Sequence, residues 1–156
     1  MHLQKAPSPW SCLPTAFAIA AGWPVETLIS RLGHDGGDIR WPQLPEPKCR
    51  RGFHHQECIE RLWRAGFAVT PFDLRPRLAP DATVAPLCLP YSRDAFDRIV
   101  STTRGVLTGY TRRCGHAVAY DHGHVCDPRG STYRYHQSEA NDFFPLCAFV
   151  LTPRPQ

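Results

Sequence analysis

The stretch "SPWSCLPTAFAIAAG", residues 8–22, sets a single thiol, Cys12, directly before a run of apolar and small residues. A cysteine attacks a carbonyl as its thiolate, and a free thiol has a pKa near 8.5. The positive end of a helix and a neighbouring imidazolium both lower that value. Cys12 has the first device if a helix begins at it. The second must come from a distant part of the chain, because nucleophile and base are neighbours in space. Of eight histidines, His116 follows Gly115 and heads the apolar stretch "HAVAY"; Asp127 closes "VCDP" eleven residues later. His122-Gly123 between them suits a two-residue hairpin turn. If residue 121 faces 124, then 118 faces 127, and His116 becomes the diagonal neighbour of Asp127. Such neighbours lie about 7–8 Å apart at Cα, within reach of an imidazole and a carboxylate. A slip of one residue would put them on opposite faces of the sheet. Each residue also has a structural reading: a buried small hydrophobe, a strand histidine, a turn aspartate. Their order and setting together favour a thiol–imidazole–carboxylate site. Asp121 is the weaker rival to Asp127 because it falls in the hairpin turn, and His122 and His124 read as turn residues.

Several elements must position these groups. The composition from Cys12 to Ala21 favours a helix, with Pro14 tolerated in its first turn and Gly22 ending it. A second helix is expected from Pro24, carrying Val25, Leu28, Ile29 and Leu32 on one face and stopped by Gly33. Residues 33–48 read as a long loop. Helical periodicity returns over 54–65, where Cys58, Ile59, Leu62 and Trp63 oppose Glu57, Glu60, Arg61 and Arg64. "FAVTPF" and "PLCLPY" read as strands, and 93–103 as a helix carrying Phe96, Ile99 and Val100. The last third, "GVLTGY", "HAVAYDHGHVCDP", "STYRYH" and "LCAFVLTP", predicts short strands in an antiparallel meander or barrel. Helices early and strands late point to α+β.

Composition narrows the class. The chain has 156 residues, 42% apolar and 21% charged, and fits one domain over 1–156. A net charge of +4 is spread over scattered pairs such as Arg50-Arg51 and Arg112-Arg113, so no nucleic-acid partner is expected. Sixteen prolines point to many turns. Seven cysteines, an odd and irregular set, argue for reduced thiols and a cytoplasmic setting. The apolar run 13–21 is too short to span a bilayer, and no membrane partner is expected. One lysine and two prolines before it make a poor signal-peptide lead-in.

"WSCLPTAFAIA" followed by "GHAVAYDHGHVCDPRG" resembles the papain-like cysteine peptidases. The resemblance is nearest to the branch with the double-glycine leader peptidases of bacteriocin exporters and their small stand-alone relatives. It covers the two ends of the chain well, and residues 31–105 only in general shape. It implies a papain-like fold, an N-terminal helical half packed against a C-terminal antiparallel sheet. Cys12 would attack the carbonyl, His116 would hold the thiolate and protonate the leaving group, and Asp127 would orient the ring. The backbone N–H of Cys12 and a side-chain amide would hold the oxyanion. Gln4, the only amide upstream, is the candidate, although its spacing of eight residues is longer than the family shows and includes Pro7 and Pro9. Trp10 either lines the substrate cleft or packs structurally. The implied activity is hydrolysis of a peptide or isopeptide bond in a protein or peptide substrate, with no cofactor.

Three rival readings stand beside it. The same fold can serve as a degenerate binding module or inhibitor, or carry acyl transfer or deamidation on the same three residues. The third is a structural zinc site built from Cys49, His54, His55 and Cys58, whose spacing matches no standard finger. Cys88, Cys114, Cys126 and Cys147 lie in apolar strand-like segments and read as core, with Cys114 near enough to His116 to warrant a control substitution.

Overall fold

A computed structural model describes residues 1–74 and 92–155. The first helix, α1 (Cys12–Ala21), is buried along its whole length from Leu13 onward, as expected for a helix apolar on every side. Gly22 ends it in the left-handed region, φ 75°, where its N–H reaches back to helix carbonyls. After a break of three residues α2 (Val25–Leu32) turns away at 118° and buries Val25, Leu28 and Leu32. α3 (His55–Arg64) buries Cys58 and Leu62, whereas Trp63, expected on the same face, is 52% exposed beneath the Arg154 guanidinium. No single helix among the described residues is long and apolar enough to cross a membrane.

The strands are β1 (Phe67–Asp73), β2 (Arg104–Tyr110), β3 (Gly115–Asp121), β4 (His124–Asp127), β5 (Ser131–Arg134) and β6 (Phe144–Pro153). α4 (Arg93–Thr102) precedes β2, and two short 3-10 turns separate β5 from β6. One antiparallel sheet has the order β1-β6-β2-β3-β4-β5. Pro71 is accommodated because β1 is an edge strand, where a missing donor leaves no ladder bond unmade. "STYRYH" is shorter as a strand than its alternation suggests: Tyr135 begins a 3-10 turn, with its N–H on Gly123 O. The strand expected over "PLCLPY", with Cys88, lies outside the described residues.

Side chains alternate across the sheet. Ala117, Ala119, Val106 and Phe149 pack with α1, α2 and α3 on one face. Val118, Tyr120, Leu107 and Val125 pack with Phe96 and Val100 of α4 on the other. The Arg104 guanidinium at the start of β2 donates to Ala20 O, satisfying a carbonyl that the end of α1 leaves open. β2 also approaches β6 closely. A Cβ at Gly105 would meet Phe149 O at 1.9 Å, and one at Gly109 would meet Phe144 O at 2.0 Å. Gly109 is the register partner of His116.

Candidate active site

The loop before α1 is folded on itself. Ser11 is buried; its Oγ donates to Ser8 O and accepts from the Ser8 backbone N–H, both at 2.9 Å. The Thr15 hydroxyl donates to Ser11 O at 2.7 Å. One turn earlier in the loop, Ala6 N–H donates to Pro128 O at 2.9 Å, which pins this segment to the turn that follows Asp127. Cys12 thus emerges half-buried at the amino end of α1, on the side of the molecule where β3 begins and β4 ends.

The β3–β4 hairpin pairs Asp121 with His124 and Ala119 with Cys126, the register that the His122-Gly123 turn implies. His122 takes φ 48° and Gly123 φ 77°, the two positive values such a turn requires. Continuing the alternation brings His116 and Asp127 together: Nε2 of the ring and Oδ1 of the carboxylate are 2.9 Å apart. Both are buried, Asp127 completely. The ring of Phe143 stands edge-on to the imidazole, with centroids 5.8 Å apart. With Nε2 on Asp127, Nδ1 is the ring nitrogen left for the thiol.

Asp127 has further donors. Arg129 reaches Oδ2 through Nε at 3.0 Å and Nη2 at 2.8 Å, its backbone N–H reaches Oδ1 at 2.8 Å, and Tyr133 OH donates to Oδ2 at 3.3 Å. Burial alone would raise the carboxyl, but His116 and Arg129 outweigh it and hold Asp127 down at about 2. Burial is likewise the largest single influence on His116 and would lower it; hydrogen bonds and charge from Asp127 and Cys12 overcome it and raise the ring to about 9. The imidazole is therefore protonated at neutral pH, with a sulfur on one side and a carboxylate on the other.

Two surface depressions of about 400 and 590 Å³ meet at this point and share Pro9, Cys12, Cys114 and His116. Together they form a groove that passes over the sulfur. Trp10 lines the first depression, and its indole N–H donates to Asp35 O at 2.9 Å, so it faces the groove and braces the neighbouring loop at once.

Gln4 is not at this site, which corrects the expectation of an oxyanion donor. Its amide nitrogen donates to Trp23 O at 2.7 Å, and its amide oxygen accepts from Val25 N–H at 2.8 Å. Both partners lie at the α1–α2 corner, and α1 separates that corner from Cys12. Gln4→Ala is expected to lower unfolding free energy by about 1–2 kcal/mol through two lost hydrogen bonds. Alkylation of Cys12 should proceed at the original rate; a parallel melting curve and labelling time course check both.

The other candidates disperse. Asp121 bonds its neighbour His122 at 2.6 Å, at the opposite end of β3 from His116. Cys58 is buried on α3, where burial pushes its thiol up to about 12. His55 stacks on Phe149 at 5.0 Å, and Cys49 is buried in the loop before α3. Among the described residues, no three His, Cys, Asp or Glu side chains are placed to hold a metal ion. Cys126 and Cys147 are core residues, whereas half-buried Cys114 borders both depressions. Cys12, Cys49, Cys58, Cys114 and Cys126 carry free thiols.

Arg129 and Tyr133 were not evident from sequence. "DPRG" signals a turn, but not that the arginine side chain curls back onto the aspartate two residues before it.

No protein-family model matches the chain, and no curated protein matches it. Among solved structures the chain is similar to a double-glycine motif protease from an AMS/PCAT transporter, crystallised in complex with its leader peptide. The TM-score is 0.56 at 11% sequence identity, over 97% of this chain and 91% of that one. At that identity the likeness establishes the fold, which is α+β of the papain-like kind.

Proposed function

We propose that this protein is a cysteine peptidase acting through Cys12, His116 and Asp127. The buried His116–Asp127 pair, opening beside Cys12 at the amino end of a helix, carries the reading. The imidazolium and the helix amino terminus both face the sulfur and complement the negative charge that an attacking sulfur carries. The thiolate adds to the carbonyl carbon of a peptide bond lying in the groove. The oxyanion so formed takes backbone donors. Cys12 and Leu13 offer first-turn N–H groups that need no intrahelical partner, and Pro14 offers none. His116 then gives its proton to the departing amine, the C–N bond breaks, and the acyl group stays on sulfur. A water molecule gives a proton to the now neutral ring as it adds to the thioester; the C–S bond breaks, the acid leaves and the thiolate–imidazolium pair is restored. Asp127 holds the ring with Nε2 bearing a proton, so that Nδ1 serves the reacting centre. The structural neighbour was crystallised with a peptide, which is consistent with an extended peptide substrate here.

The test is competitive alkylation. At pH 7 with limiting iodoacetamide, Cys12 is expected to be labelled at least about tenfold faster than any other cysteine, as read by peptide mass spectrometry. Equal or slower labelling of Cys12 would favour a degenerate binding module. Incubating the protein with a proteome-derived peptide mixture then separates hydrolysis from transfer or deamidation by product mass.

A further inference from the structure

Resting on that reading, we infer that Arg129 is a fourth, positioning member of the site. It fixes the Asp127 carboxylate and balances its charge, and so sets the pH range over which Cys12 and His116 act as an ion pair.

Two observations carry this. The first is geometric. Arg129 engages Asp127 through three nitrogens, its backbone N–H on Oδ1 and the guanidinium on Oδ2. The carboxylate can neither rotate nor retreat, and Oδ1 stays aimed at His116 Nε2. The same guanidinium donates through Nη2 to Asn141 O at 2.7 Å. Asn141 lies two residues before Phe143, the residue whose ring supports the imidazole edge-on. One side chain thus ties together both supports of the ring, the acid from the end of β4 and the aromatic from the turn before β6.

The second observation concerns charge. In the reactive form the sulfur is negative, the imidazole positive and Asp127 negative, a sum of −1 in a largely buried place. Arg129 brings the sum to zero, and a buried net charge is far costlier than a balanced set. Without the guanidinium the site recovers neutrality by holding a proton more tightly. The thiolate then forms only at higher pH, and the imidazolium persists to higher pH. Both limbs of the activity profile move the same way. Among the described residues, the other charged or titratable groups around the pair are Tyr133 on β5, Cys114 in the β2–β3 turn, Lys5, Arg113 and Asp142 along one half of the groove, and Lys48, Arg51 and His55 along the other. Asp142 is an anion that accepts from Arg112 N–H at 3.1 Å, Arg51 is held by Glu57 at 2.8 Å, and among the described residues only Arg129 and Tyr133 donate to Oδ2.

The experiment is the rate of Cys12 alkylation by iodoacetamide from pH 4 to 10, in the full-length protein, for the native chain, Arg129→Met and Arg129→Lys. The acid limb of Arg129→Met should shift upward by about one pH unit. Cleavage of any peptide the native protein processes should slow on the order of tenfold or more, from the loosened carboxylate. Arg129→Lys keeps the charge and loses the fork, so its limbs should return to native positions while cleavage stays slow. An Arg129→Met profile superimposed on the native one overturns the inference, as does an Arg129→Lys profile shifted as far as that of Arg129→Met. Should Arg129→Met fail to fold, Arg129→Gln, which keeps a hydrogen-bond donor and loses the charge, takes its place, and its profile superimposed on the native one overturns the inference. A native protein with no selective labelling of Cys12 sinks the peptidase reading itself, which is a separate outcome.

Discussion

Cys12→Ala is expected to end peptide-bond cleavage while the protein stays folded. Among the described residues no other thiol is placed to substitute, and Cys49 is buried in the loop before α3. Cys126 and Cys147 are sealed in the core, Cys58 is held as a thiol by burial, and Cys114 lies beside the ring without a helix amino terminus behind it. Losing the covalent route should cost about 10³-fold or more in turnover. The stability change should stay within about 1 kcal/mol, because the side chain is half-exposed and alanine favours a helix start no less than cysteine. The measurement is cleavage of a proteome-derived peptide mixture, read by mass spectrometry beside a thermal melt. An alanine variant that cleaves at the native rate would sink the assignment of Cys12.

Asp127→Asn should have the largest combined effect on rate and stability. The carboxylate accepts from His116, from three nitrogens of Arg129 and from Tyr133, on two oxygens. An amide has one oxygen, so one of its ends must set a donor against a donor. The guanidinium, the stronger partner, draws the oxygen toward itself and leaves the NH₂ facing Nε2. The ring then accepts at Nε2 and carries its proton on Nδ1, the wrong tautomer for a base at sulfur. Loss of the correct tautomer is worth about 10⁴-fold in comparable triads. Because the Arg129 side chain is 41% exposed, solvent takes up much of the stranded guanidinium charge, and the stability loss should be on the order of 1–2 kcal/mol.

That loss depends on pH in a defined way. Asp127, depressed to about 2, stabilises the native protein above its unfolded value of about 4 and ceases to do so as pH falls through 2. His116, raised to about 9, stabilises below its unfolded value of about 6.5 and loses that contribution as pH rises through 9. The gap between native and Asp127→Asn melting temperatures should be widest between about pH 4 and 6.5 and narrow on either side. A constant gap from pH 2 to 10 would contradict the ion-pair description.

The hairpin was legible because its turn permits only one register. His122-Gly123 fixes 121 against 124, and a period of two does the rest. α1 was legible because a run of buried small and apolar residues bounded by a proline and a glycine has few other uses. Gln4 was not, since its partners Trp23 and Val25 are about twenty residues away and meet it only because the chain turns sharply after Gly22. The pairing of β1 with β6 joins segments some eighty residues apart, and nothing local in "FAVTPF" names its partner. Arg129 escaped for the same reason at shorter range: a turn motif states where the backbone goes and is silent on which oxygen a long side chain finds.

The hydrogen bond from Ala6 to Pro128 joins segments that a ribosome makes far apart in time. The sulfur leaves the exit tunnel first, and its imidazole follows about a hundred residues later. Until the final hairpin closes and docks, the emerging thiol has neither a proton partner nor an ordered helix start, and its reactivity is that of any unstructured cysteine. Under the proposed function, translation order therefore acts as a safety catch, withholding cutting power from every incomplete copy until β3 and β4 have docked.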